Sequence, residues 1–379
     1  MLNLQEQGDS IFKPRSTFEE TYQFIDNELA AAANDLPNIQ GGGRATKGAA
    51  LALKGWVELF AHKYAEAAVT NKQVMDLAIY NLFPNFNAQF MGSNNNNNES
   101  IFAYQHFPAT KPNLRSSYFG PKGSYGGWGQ SQPTQGLIDD YVMKNGLPIT
   151  DAASGYNPLR PYDNRESRFD ESIIHHGSVF AGKTFNMTNG AEFALDPGKE
   201  NNTGYYRRKG IDESLSGNFV QDGSNYNFFR YAEVLLSFAE AKIELGQIDQ
   251  DVINAIDKVR VRGGIPTLMN TYHRTLSQDE MRIIVRRERR VELAFENKRY
   301  WDLIRTRTAM AVLNLPAYGV KISEDNGNLT LTKVVAHTSQ FLERNYLFPI
   351  YQGWIDANPK IQAQNGGPDG WVSGQNPGY

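Results

Sequence analysis

The chain has 379 residues, 40% of them hydrophobic and 21% charged, which is enough apolar material for a sizeable core and too little charge imbalance for a disordered chain. The 38 Lys and Arg against 41 Asp and Glu leave a formal charge of -3, which excludes a whole-molecule electrostatic grip on nucleic acid. The absence of cysteine removes disulfides, thiolate metal sites and thiol nucleophiles.

The opening MLNLQEQGDSIFKPRS has no basic segment followed by an apolar one, so it predicts no signal peptide. Residues 17–36 then read as a helix. Ser16 is placed to cap it with Glu19 three residues on, and the stripe Phe18, Tyr22, Ile25, Leu29 and Ala32 stops at Pro37. Gly41-Gly42-Gly43 marks a loop. Residues 45–61 form a second helix with Ala49, Leu53, Trp56 and Phe60 on one face, and residues 64–78 fold back on it as an antiparallel hairpin.

From about residue 80 to 225, Gly, Pro, Asn and Tyr dominate and apolar runs are short. A structureless loop of that length does not suit a compact domain, so short elements such as 136–141 and 178–180 are expected within it. The Asn94–Asn98 tract reads as a solvated loop. Helical periodicity returns at 230–245, 250–262 and 278–296, and the pairs 45–78 and 230–262 resemble two copies of a tetratricopeptide-type unit. Asn326-Gly327 predicts a hairpin within 319–335. The expected fold is mainly α: a tetratricopeptide-like scaffold of helical hairpins (14–79 and 226–310) with a large loop-rich insert (80–225), minor short strands and an irregular C-terminal region (311–379), in one domain over 1–379.

Few constellations carry chemistry. In RRERRVELAFENKRYWDLIRT, residues 286–306, the acids Glu288, Glu292, Glu296 and Asp302 interleave with arginines, which points to a structural helix locked by ion pairs. The six histidines form no metal-binding spacing, and the acidic pairs Asp139/Asp140, Asp163/Glu166 and Asp170/Glu171 do not establish two carboxyls facing across a cleft. No catalytic residue, metal or cofactor is assigned.

The remaining signal is aromatic and amide richness: 19 Tyr, 21 Phe, 5 Trp and 34 Asn. Rings and neutral amides suit a neutral polyhydroxylated ligand. In Tyr118-Phe119-Gly120-Pro121-Lys122-Gly123-Ser124-Tyr125-Gly126-Gly127-Trp128, four rings sit among Gly and Pro with no core periodicity. Tyr118, Tyr125 and Trp128 are candidates to present rings to a sugar, with Arg115, Gln130 and Gln132 as hydrogen-bonding neighbours. The competing reading has Trp128 and Phe119 turned inward, pinning the loop.

Several segments, in one order, resemble the SusD/RagB family. They are PTQGLIDDYVMKNG (133–146), NRESRFDESI (164–173), RYAEVLLSFAEAKIELG (230–246), RRERRVELAFENKRYWDLIR (286–305) and the tail LFPIYQGWIDANPKIQAQN with its closing NPGY. The resemblance runs from about residue 14 to 379. It implies a surface-exposed outer-membrane lipoprotein that captures glycans without cleaving them and sits as a lid on a SusC-like, TonB-dependent transporter. The chain starts in what resembles the middle of that family's helical array, so it is expected to be an N-terminally shortened member, with membrane association only through a lipid anchor that this sequence lacks. The alternatives are a helical-repeat subunit that binds only the transporter and, behind it, a glycoside hydrolase.

Overall fold

The structure is a computed structural model that describes residues 11–39, 43–196 and 201–379. Residues 1–10 of the opening segment and Gly41-Gly42 of the predicted loop lie outside the described residues.

Helix α1 (Phe18–Asp35) is capped by Thr17 and Glu20, which exchange side-chain and backbone hydrogen bonds in a capping box. The box therefore sits one residue later than Ser16 and Glu19. Helices α2 (Lys47–Phe60) and α3 (Tyr64–Asp76) form the first hairpin. The buried face of α2 is Gly48, Ala49, Ala52, Gly55 and Leu59, and Leu53 is 36% exposed, so the expected stripe is rotated. Small residues win that face because α3 comes close: a Cβ on Gly55 would lie 2.6 Å from Asn71 Nδ2.

Strand β1 (Ser100–Tyr104) leads into the insert. It holds α4 (Arg115–Phe119), α5 (Gln135–Ile138), α6 (Ser167–Ser172) and the two-residue strands β2 (Ile173–Ile174), β3 (Val179–Phe180), β4 (Lys183–Thr184) and β5 (Tyr206–Arg207). Strand β6 (Tyr226–Arg230) closes the excursion by pairing antiparallel with β1, Tyr104 opposite Tyr226 and Ser100 opposite Arg230. The insert has its own aromatic core, including Tyr141, Phe169, Phe180, Phe185, Tyr205 and Tyr206.

Beyond it, α7 (Tyr231–Glu244) and α8 (Gln250–Arg262) make the second hairpin, followed by α9 (Leu268–Tyr272) and α10 (Gln278–Glu292). Helix α7 is the hub: α3, α8 and α10 all pack on it, and twelve of its fourteen residues are buried. Leu235, Phe238, Ile256, Val259 and Val285 belong to the scaffold core. The chain continues through α11 (Arg299–Arg305) and α12 (Ala309–Leu313) to the hairpin β7 (Ala317–Asp325) and β8 (Asn328–His337), turned at Asn326-Gly327 as expected. That hairpin lies on the insert, where Val320 and Ile322 enter the aromatic core. Short helices α13 (Gln352–Ala357) and α14 (Pro359–Gln362) occupy the tail. The fold is thus mainly α, a tetratricopeptide-like stack carrying a loop-rich insert.

Helix α10 is locked by ion pairs, and its carboxylates find their partners mostly on other elements. Glu292 receives Arg168 from α6, Arg230 from the end of β6 and Arg262 from α8. Glu288 binds Arg168 and Arg260, and Glu296 just beyond the helix binds Arg230 and Lys209. Burial alone would raise the pKa of Glu296; Arg230 and Lys209 overrule it and hold the carboxyl at about 2.

Candidate functional site

The aromatic loop after α4 folds back against that helix. Trp128 N–H donates to Ser117 O at 2.8 Å, Gln130 N–H to Tyr118 O at 2.9 Å, and Gly129 N–H to Gly120 O at 2.9 Å. Its glycines serve close packing: a Cβ on Gly127 would stand 2.2 Å from Gly120 O.

This fold-back sends the rings in opposite directions. Trp128 is 56% exposed, and half-buried Tyr118 braces it edge-on with 4.8 Å between ring centroids. Gln130 is exposed beside them in sequence. Tyr125 is 3% exposed, stacked on Phe185 at 5.0 Å with Phe180 and Phe193 at 5.6 Å. It is a core residue and cannot offer a face to a ligand, which corrects its expected role. The physical reason is that the insert's aromatic core outcompetes solvent for that ring.

Arg115 is half-buried and engaged, donating to Phe90 O at 3.2 Å and Ser224 Oγ at 2.8 Å; burial lowers its pKa. It pins the loop's base. Gln132 accepts from Asn202 N–H at 2.8 Å and so ties the loop to a distant turn of the insert. Phe119 is half-buried too, with the Arg207 guanidinium held between it and Phe295 at 5.0 Å from each ring. What remains open is the Tyr118–Trp128 platform with Gln130.

A second surface was not legible as a site. A cleft of about 360 Å³ is lined by Arg44, Tyr80, Asn96, Asn97, Phe102 and Gln105 among others. The amide tract is tied into the structure by hydrogen bonds, with Asn96 and Asn98 still exposed. Asn95 donates to Gly223 O and accepts from Asn225 N–H, both at 2.8 Å, while Asn96 Oδ1 accepts from Gln105 at 3.0 Å. The tract's run of amides was the available signal, but the partners of Asn95 lie some 130 residues away. A cavity of about 830 Å³ between α1, α2 and α3 has no aromatic residue in its lining. It therefore lacks a stacking surface for a sugar.

The acidic pairs are engaged elsewhere. Asp140 pairs with Arg290, Glu166 lies buried against Arg168, Asp170 meets His175 Nε2 at 2.8 Å, and Glu171 accepts from Asn87 N–H at 2.9 Å. Among the described residues, no group of three or more His, Cys, Asp or Glu is placed to hold a metal ion. No described helix is long and apolar enough to cross a membrane.

Comparison with known proteins agrees with this architecture. The chain is 25% identical over 329 residues to SusD-like protein P38 of Formosa agariphila, covering 81% of this chain and 61% of that protein. It is 29% identical over 191 residues to SusD-like protein P2 of the same organism, covering 48% and 37%. The matches thus span less than two thirds of the length of these relatives. A crystal structure of a SusD-like carbohydrate binding protein from Bacteroides fragilis superposes with a TM-score of 0.81 at 28% identity, over 94% of this chain and 73% of that one. The sequence profile of the SusD family matches residues 86–371, from the entry to the insert through to the tail, and the chain belongs to that family.

Proposed function

We propose that this chain is a non-catalytic glycan-binding protein of the cell surface, working at the outer face of the outer membrane and passing oligosaccharide to a SusC-like, TonB-dependent transporter. The observation that carries the reading is the Tyr118–Trp128 pair: an exposed indole face held rigid by a perpendicular ring on a hydrogen-bonded loop. A sugar's C–H face stacks on such a surface while Gln130 is free to fix its orientation through hydroxyls. The amide-lined cleft offers a second contact surface of the same uncharged chemistry, apart from Arg44. Family membership and the name of the Bacteroides fragilis neighbour support the ligand class. The engagement of the acidic pairs in structural contacts supports binding without bond cleavage.

The experiment is an affinity-gel and glycan-array screen of the folded chain against plant, host and microbial polysaccharides, followed by Trp128→Ala on any hit. Binding lost in the variant supports the platform. A folded chain that binds none of the panel but is pulled down by the transporter would replace this reading with a transporter-only role.

A further inference from the structure

The outward face of α10 carries Ile283, Arg286, Arg287 and Arg290, a helical stripe that stacks three guanidinium groups on neighbouring turns. Helix α11 adds Arg299, Asp302 and Arg305 from the other side, and Asp140 of the insert closes one end. Together they line a cavity of about 290 Å³, near the lower bound of ordinary ligand pockets.

Most of these charges are matched. Arg289 and Arg305 are satisfied by Asp302 and Glu240, Arg290 by Asp140, and Arg286 by Glu244 at 3.0 Å. Arg287 and Arg299 have no hydrogen-bond or ion-pair partner among the described residues. The Nε of Arg286 is also buried without a partner, with its contact to Glu240 at 3.6 Å too long for a hydrogen bond. Burial and the like charge of Arg290 lower the pKa of Arg299 to about 10, against the opposing pull of Asp302 and Asp140. Like charges on one helical stripe repel, so the arrangement calls for a further anion.

We infer that this cavity is an oxyanion-binding site, taking a sulfate or phosphate group between Arg287 and Arg299 with Arg286 at its side. Arginine is the side chain suited to it, because its planar fork binds oxyanions through paired N–H groups. The group can be a free anion or an ester on a larger ligand, since Ile283 at the cavity wall is exposed and the mouth faces solvent. This inference does not depend on the glycan reading.

The test is calorimetric titration of the whole chain with sodium sulfate, against sodium chloride at equal ionic strength. Saturable sulfate binding is expected. The double variant Arg287→Gln, Arg299→Gln should weaken it by about tenfold or more, while its melting temperature in chloride is unchanged or higher because no ion pair is lost. A sulfated oligosaccharide and the same sugar after desulfation identify the source. Preference for the sulfated form assigns the anion to a glycan, and binding of inorganic sulfate alone assigns it to a free ion; either outcome supports the site. Heat indistinguishable from chloride, or equal sulfate affinity in the double variant, overturns it. Trp128→Ala should leave the sulfate titration unchanged, which keeps the two proposals separable.

Discussion

Arg168 and Glu292 meet at 3.0 Å with both side chains closed to solvent, joining the insert to the scaffold helix α10. Arg168 also holds Glu166 and Glu288, so one guanidinium serves three carboxylates. Such a cluster balances desolvation against attraction, and removing one member leaves an uncompensated charge. Arg168→Met is therefore expected to destabilise the chain by about 3–5 kcal/mol, read by urea denaturation, and it strands Glu166 most, because Glu288 keeps Arg260 and Glu292 keeps Arg230 and Arg262. A loss under about 1 kcal/mol would show that the insert is anchored elsewhere.

Two tryptophan and tyrosine substitutions in one loop should separate cleanly. Tyr125→Ala empties a packed aromatic site and should cost about 3–5 kcal/mol, by the scale of large-to-small core changes. Trp128→Ala removes an exposed ring and should cost about 1 kcal/mol or less, chiefly its contact with Tyr118. Thermal melts of both variants check this. Equal losses would contradict the inward and outward assignment.

Acid should loosen the α10 cluster. Glu296 is held at about 2, below the ordinary glutamate value near 4.3, so its stabilisation is complete above that value and is lost as pH falls through about 2. That lowered pKa corresponds to about 3 kcal/mol for this one group. Glu292 and Asp302 are likewise lowered, by arginines that overrule their burial, while burial raises Glu166 and Glu58 and partly offsets the trend. Melting temperatures of wild type and Glu296→Gln should differ at pH 7 and converge toward pH 2. Parallel curves would mean that the Glu296 pairing contributes nothing.

Lys209 shapes the basic limb, where stability again rises with pH. Burial lowers its pKa to about 8 despite Glu296, so the folded chain releases this proton before the unfolded one does. Its contribution therefore grows more favourable as pH rises from about 8 toward the free lysine value near 10.4. Comparing Lys209→Met with wild type over that range isolates the slope; an identical pH dependence in both would refute it.

The amide tract makes a local prediction. Asn95 is bonded at both ends of its side chain, to Gly223 O and from Asn225 N–H, so Asn95→Ala should cost about 2 kcal/mol through two lost hydrogen bonds. Amide hydrogen exchange at Asn225 should speed up in the variant. Unchanged protection there would make the tract a bystander.

The long helices were legible because periodicity is a local signal that each carries in full; α8 begins and ends where its spacing puts it. The buried face of α2 was not, because large residues attract a periodicity reading while close helix approach selects Gly and Ala. The ionic role of α10 could be read from its interleaved charges, but its partners Arg168, Arg230 and Arg262 lie on other elements. In the aromatic loop, nothing local distinguishes Tyr125 from Trp128. The deciding neighbours Phe180, Phe185 and Phe193 arrive more than fifty residues later.

The pairing of β1 with β6 also bears on how such a protein can diversify. Because Tyr104 and Tyr226 stand opposite one another, everything between them is a detour whose two feet are already tied. Closing a flexible detour costs only about 0.6 kcal/mol more for each doubling of its length. Residues can thus be added to or removed from exposed parts of the detour at small cost, so long as Arg168 and the aromatic core keep their places. The presenting frame and the presented surface are then free to evolve at different rates.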